Sequence, residues 1–339
     1  MSKGILMKSL PSKPRLKENI WHIFPETEIA YLSTVADTYE VPRSAALAFL
    51  QMRSHCTGHN DVGEIVRRSS LDPDAVEQIL TSLAPSGILY DPGEGEEQVS
   101  IGAVRSTLVA VCKLWGEELT RGYIGNKFAN GMLPVSALVG WLLEMYHYIK
   151  DFPEAIKHAE VRAVGPLKDL LHEYSCQETG HEEFVLRTLE GLGLSRVEVA
   201  NSIPLVGTRT VSFMMRSLVE LNPSAMLLIA ALVEAQDFDE KLIGQFTTAL
   251  EQHYNIPASV FDPYFEHQRI DVKMGHAQLL ENNLDLVDID AQPLLDRVVN
   301  ELHDLKHAFD LQGLEIEQYY GDLNGRYLPR QFMSFAAVR

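Results

Sequence analysis

One carboxylate constrains this chain more than any other feature. Glu234 sits in the run Ala225-Met-Leu-Leu-Ile-Ala-Ala-Leu-Val-Glu-Ala235, where no other side chain is charged or polar. A helix that is apolar all round is a buried helix. A carboxylate buried alone costs several kcal/mol or takes up a proton, so it calls for a cationic or metal partner. The fold must therefore bring such a partner to Glu234. Three residue sets can supply one: Glu178 with His181, His267 with Asp271 and nearby His276, and Glu144 with His147. Carboxylates and imidazoles converging from several helices predict a metal site in a helical core.

The rest of the chain narrows the setting. With 339 residues there is room for two domains, each with its own core. The net charge of -18 argues against nucleic acid and anionic membrane as partners. Cys56, Cys112 and Cys176 are odd in number and widely spaced, so neither a disulfide framework nor a thiolate zinc site is expected. The basic residues Lys3, Lys8, Lys13, Arg15 and Lys17 are followed by no long apolar run, which fits neither a signal peptide nor an anchor. A cytoplasmic location follows.

Two parts are expected, residues 1–103 and 104–339. In the first, Arg43–Cys56 predicts a helix, Asp61 caps a second, and Asp72-Pro73-Asp74 opens a third. Ile88–Tyr90 and Gln98–Ile101, flanking the turn Asp91-Pro-Gly-Glu-Gly95, read as a β-hairpin wing. Three helices and a hairpin resemble a winged helix. The part holds nine Lys/Arg against fourteen Asp/Glu, and its third helix has no basic residue between Pro73 and Gly87, so DNA binding is not expected. From residue 104 onward the pattern is helical throughout, with predicted helices over 134–150, 152–175, 177–192, 224–236 and 261–283 among others.

Spacing alone singles out the chemistry. Glu178 and His181 are three apart, as are Glu144 and His147, and Glu-x-x-His is the ligand spacing of helical diiron carboxylate proteins. His267 and Asp271 are four apart on one helix face, whereas His276, nine after His267, falls about half a turn away on a regular helix. All three share one site only if the helix is bulged or unwound near Lys273-Met-Gly275. His303 and His307 sit among polar residues and read as a solvated face. No nucleophile elbow, phosphate loop or dinucleotide fingerprint is present; Arg196 stands where the last glycine of the fingerprint would be needed.

Three signatures together resemble the haem-oxygenase-like diiron oxidases, relatives of thiaminase II and pyrroloquinoline-quinone synthase. They are Asn130-Gly-Met-Leu-Pro134 with Trp141, Tyr146-His147-Tyr148 and Phe152-Pro153; Glu178-Thr-Gly-His181 with Leu189-Glu-Gly-Leu-Gly193; and Tyr264-Phe265 with His267, Asp271 and His276. The resemblance covers about residues 105–285. It implies an all-α, haem-oxygenase-like bundle whose metal ligands are Glu178, His181, Glu234, His267, Asp271 and His276. One departure is plain, since His276 follows Asp271 by five residues where the family has three. Glu144 and His147 fall where the family places pocket residues, and rank second as ligands. Carboxylates beside each histidine suit non-haem iron better than haem.

The resemblance further implies an O2-dependent oxidoreductase with two Fe(II), manganese being the competing metal. Its substrate would be a small amine, amino acid or fatty acid, taken through N-oxygenation, desaturation or oxidative C–C or C–N cleavage in a natural-product pathway. An external electron donor and a homodimer stay open. So do two other readings. In one, a peptide-modifying oxidase uses residues 1–103 to hold a leader peptide; in the other, the enzyme is metal-free, like thiaminase II or pyrroloquinoline-quinone synthase.

Overall fold

The computed structural model of the protein describes residues 10–26, 28–90, 100–234 and 240–338. It divides into two compact units, Met1–Leu114 and Trp115–Arg339. The division falls within a helix, somewhat beyond the boundary expected at 103.

The first unit begins with three strands, β1 (Trp21–Pro25), β2 (Ile29–Thr34) and β3 (Thr38–Pro42), paired antiparallel in the order β1-β2-β3. Three helices follow: α1 (Arg43–Met52), α2 (Val62–Ser69) and α3 (Pro73–Leu83). The helix starts are those the sequence dictates. The Asp61 carboxylate accepts from Glu64 N–H, the Asp72 carboxylate accepts from Asp74 and Ala75 N–H, and Pro73 occupies the first turn of α3. Leu32, Phe49, Met52, Ile65, Val76, Leu80 and Ile88 form the core.

The wing is a correction. The sheet precedes the helices instead of following them. Ile88–Tyr90 pairs with the chain near Arg15: Lys17 N–H donates to Ile88 C=O at 2.7 Å and Tyr90 N–H to Arg15 C=O at 2.8 Å. The expected turn at Asp91–Gly95 and the start of the return strand, Gln98 and Val99, lie outside the described residues. The rest of that strand does not form, because Ile101 opens a helix.

That helix is α4 (Ile101–Gly122), followed by α5 (Ile124–Ala129), α6 (Val135–Glu160), α7 (Gly165–Glu178), α8 (Glu182–Gly191), α9 (Arg196–Ala200) and α10 (Val206–Leu221). Then come α11 (Ala225–Val233), α12 (Glu240–Tyr254), α13 (Asp262–Met274), α14 (Leu279–Asn282) and α15 (Gln292–Tyr320). In the second unit α6 is central and packs against α7, α8, α10 and α15. Ala137 to Leu143 are buried without interruption, so this stretch of α6 has no solvent face. The break expected between 150 and 152 is absent. α6 runs through Pro153, and the chain turns only after Glu160. No described helix is long and apolar enough to cross a membrane.

Three local breaks position the site. The helix expected over 177–192 is two, because α7 ends at Glu178 and α8 starts at Glu182, with Gly180 at φ 96° between them. Glycine adopts that left-handed conformation without Cβ strain. α13 stops at Met274, and Gly275, at φ 74°, swings His276 out of the helical path. This is the unwinding that His276 required. Finally, α11 ends at Val233, so Glu234 caps the C-terminal end of the apolar helix instead of lying inside it. The expected end of that helix at 236 lies outside the described residues.

Candidate metal centre

Six side chains from four parts of the second unit converge. Glu178 comes from the last residue of α7 and His181 from the first turn boundary of α8; Glu234 caps α11, His267 and Asp271 lie on α13, and His276 follows it. They form two groups of three in which one donor atom per residue lies within 4.8 Å of the others: His181, His267 and Asp271, and Glu178, Glu234 and His276. All six expected residues are therefore brought together. Glu178 and His181 meet across a turn and not, as their spacing suggested, along one helix face.

The donor atoms face one another more closely than they bond. His276 Nδ1 lies 2.9 Å from Glu178 Oε1, and His181 Nδ1 lies 3.3 Å from Glu178 Oε2 and 3.4 Å from Asp271 Oδ1. His267 Nε2 lies 3.3 Å from Asp271 Oδ2 and 3.1 Å from His181 Nδ1. Yet Glu178 Oε1, Asp271 Oδ1 and His276 Nδ1 are buried with no partner in hydrogen-bond geometry. Buried polar atoms almost always find partners. Lone pairs that meet at short range without bonding are aimed at a shared point, as ligands of a cation are. The donor set, three carboxylates and three imidazoles, suits a divalent first-row metal.

Without a cation this cluster is electrostatically strained. Burial and the charge of Glu178 push the Glu234 carboxyl up to about 7. Burial, with Glu234 and Glu178 nearby, pushes Asp271 up to about 8. Burial opposes ionisation of Glu178 too, but its contacts with His181 and His276 outweigh burial and hold it down at about 2. Burial and the neighbouring His181 bring His267 down to about 4. A dication at the centre would favour the ionised carboxylates and the neutral imidazoles together.

Neighbouring side chains orient these groups. The Tyr174 hydroxyl donates to Glu234 Oε1 at 2.9 Å, and its ring meets His276 edge-on with centroids 4.9 Å apart. His276 Nε2 lies 3.0 Å from Gln177 Oε1. Because that amide oxygen only accepts, Nε2 carries a proton, and Nδ1 is the atom turned to the cluster, 2.9 Å from Glu178 Oε1. Neither Tyr174 nor Gln177 was singled out by the sequence. The only signal was position: Tyr174 lies one helical turn before Glu178, and Gln177 is next to it.

The second-tier pair is corrected. Glu144 and His147 belong to neither group. Glu144 accepts hydrogen bonds from Leu205 N–H at 2.9 Å, the Thr208 hydroxyl at 2.6 Å and the Tyr320 hydroxyl at 2.8 Å. Three donors hold it, so it ties α6 to α10 and α15 as an anchor. His147 bonds Ser202 Oγ at 2.8 Å. His303 and His307 stack on α15, with His303 edge-on to Trp115, and contribute to neither group.

A cavity of about 430 Å³ adjoins the cluster and is lined by Glu178, Glu234, His267, Asp271 and His276. Its wall is mainly apolar, with Trp141, Met145, Tyr148, Ile149, Phe152, Leu232, Phe309 and Ile316. Outside the cluster its charged lining is Lys127, Glu144, Asp310 and Glu317. The volume is that of a small-molecule site.

The chain is similar to known proteins in sequence family and in fold. Residues 139–302 match the model of a family described as iron-containing redox enzymes. A domain with a heme oxygenase-like fold from Shewanella denitrificans OS217 superposes with a TM-score of 0.53 at 17% identity, over 70% of this chain and 100% of that one. A TenA homologue from P. horikoshii OT3 (TM-score 0.47, 14% identity, 63% and 98% covered) and one from Pseudomonas syringae pv. tomato DC3000 (0.49, 9%, 66% and 98%) are also similar. No curated protein matches the chain. Residues 139–302 are thus similar to the iron-containing redox enzymes, and the helical unit has a haem-oxygenase-like fold.

Proposed function

We propose that the protein is an O2-dependent non-haem oxidase or oxygenase of a small amine or amino-acid-derived substrate, working with two iron ions. One would be held by His181, His267 and Asp271, the other by Glu178, Glu234 and His276. The observation that carries this reading is the convergence of six donor side chains, three of whose buried atoms have no hydrogen-bond partner. When bound, iron supplies the one-electron chemistry that O2 activation requires. The protein's own residues do the rest. Tyr174 and Gln177 fix the orientation of Glu234 and His276, which sharpens a metal site. Trp141, Ile149, Phe152 and Phe309 keep the cavity dry and receive the apolar body of the substrate. The charged wall residues are already paired, Lys127 with Glu317 and Asp310 with Lys306, so a charged substrate group would have to enter those pairs. An external donor would supply reducing electrons.

The test is iron stoichiometry after anaerobic Fe(II) loading, followed by rapid mixing with O2. About two irons per chain and a transient visible absorption are expected. A protein that binds no iron and shows no transient would sink this reading and leave the metal-free one.

A peptide substrate is the second reading, and the β3 edge favours it. Arg43 N–H donates to Glu28 C=O and Thr34 N–H to Asp37 C=O, so the register makes Ala30–Val41 and Leu32–Tyr39 the intervening bonded pairs. Thr38 and Glu40 then turn both backbone groups outward, and neither has a partner among the described residues. An exposed strand with no lysine or bulge is a template for an added strand. Glu28, Asp37 and Glu40 around it favour a cationic peptide. Glu40→Pro removes an outward N–H without touching the ladder to β2, so it should abolish binding of a labelled alternating Lys-Val octapeptide and leave the fold intact. Equal binding by the variant would rule this edge out.

A further inference from the structure

A second cleft, of about 700 Å³, lies between α6 and α10. Its wall carries four cations, Lys150 and Lys157 from α6 and Arg209 and Arg216 from α10. Two of them are already neutralised, Arg216 by Asp151 at 2.5 Å and Lys157 by Glu154 at 2.8 Å. The other two are not. Arg209 makes no ion pair or side-chain hydrogen bond among the described residues, and Lys150 meets only Tyr146, whose hydroxyl lies 3.3 Å away and whose ring centroid lies 5.4 Å away. The remaining wall carboxylate, Glu182, bonds neither of them among the described residues. Two cations left without a carboxylate on one wall stand out in a chain with 47 acidic and 29 basic residues.

A second observation points the same way. Ser212 lines the cleft, is only 7% exposed, and its hydroxyl has no partner among the described residues. A helical serine normally satisfies its hydroxyl on the carbonyl four residues back. Ser212 does not bond Thr208 in this way, so a nearly buried donor is left for something that enters the cleft. A guanidinium, an ammonium and a hydroxyl are the donors that bind a phosphate dianion, whereas a lone carboxylate would need only one cation.

We infer that the α6–α10 cleft binds the phosphate group of a small phosphorylated ligand through Arg209, Lys150 and Ser212. The inference is independent of the iron reading. Thr179 and Gly180, which lie between Glu178 and His181, form part of the cleft wall. The ligand would therefore sit behind the turn that carries two of the cluster's side chains.

The test is calorimetric titration of the full-length protein, metal as isolated, with inorganic phosphate and separately with glycerol 3-phosphate at constant ionic strength. Saturable binding of one ligand per chain is expected. Arg209→Gln and Lys150→Gln should each weaken it about tenfold or more, and Ser212→Ala by a smaller factor. Tighter binding of glycerol 3-phosphate would assign an organic monoester, and equal binding would assign free phosphate. Arg209 and Lys150 are exposed, so their variants fold. Absence of saturable binding in the millimolar range overturns the inference. So does binding that all three variants retain unchanged, which would place the phosphate at the metal cluster.

Discussion

Glu178→Ala should lower iron content from about two ions to well below one per chain and cut O2-dependent turnover by at least about a hundredfold. The size of the effect follows from where Glu178 stands. Its two oxygens reach imidazoles of both groups, His276 Nδ1 at 2.9 Å and His181 Nδ1 at 3.3 Å. Asp271 contacts only His181 and His267, both in its own group. Removing Glu178 therefore takes a donor from one group and the anionic neighbour from an imidazole of the other. Glu178 closes α7 at its C-terminal end, so truncation leaves the helical hydrogen bonds in place, and far-ultraviolet circular dichroism should be unchanged. Asp271→Ala, in contrast, should cost one ion and spare the other. If Glu178→Ala kept both irons at native affinity, Glu178 would not be the residue linking the two groups.

The helical class and the caps of α2 and α3 were legible because each is written in local pattern, which also marked the candidate carboxylates and histidines, while the choice of six among them came from the family resemblance. Apolar runs, Glu-x-x-His spacing and Asp before a helix are all properties of neighbours in sequence. What was not legible depends on contacts between distant residues. Spacing put Glu178 and His181 on one helix, because three residues are one turn of any regular helix. Gly180 was the sign of the break, and its meaning needed the fold. The same holds for Pro153. The helix boundary expected between 150 and 152 fell just before it, but α6 is buried between α7, α8, α10 and α15, and that packing outweighs the lost backbone bond. Residues 21–42 passed unassigned because each strand has only five or six residues. Periodicity over so few positions is weak until the strands pair. Tyr174 and Gln177 were invisible for another reason: a residue that orients a ligand needs no motif, only a hydrogen bond from the correct place.

Glu144 gives the second large effect, and it is one of stability. Glu144→Ala should destabilise the protein by about 3–5 kcal/mol at pH 5, because it leaves a buried N–H and two hydroxyls with no acceptor and opens a void in α6. Glu144→Gln should behave differently, and pH separates the two. Burial, only partly offset by its three hydrogen bonds, lifts the Glu144 carboxyl from 4.5 to about 6. A carboxyl with a raised pKa is better accommodated protonated in the folded protein. Its contribution is therefore complete below about 4.5 and is lost as the pH rises through about 6, a change worth about 2 kcal/mol. Glutamine keeps the shape and cannot ionise. It can accept from Leu205 and Thr208 through its oxygen and donate to the Tyr320 hydroxyl through its nitrogen. Urea unfolding at pH 5 and pH 8 should show the variant matching wild type within about 1 kcal/mol at the lower pH and gaining on it by about 1 kcal/mol more at the higher one. The clustered carboxylates titrate in both proteins and cancel in the difference. If Glu144→Ala unfolded at the same urea concentration as wild type, the carboxylate would not be holding α6 to α10 and α15.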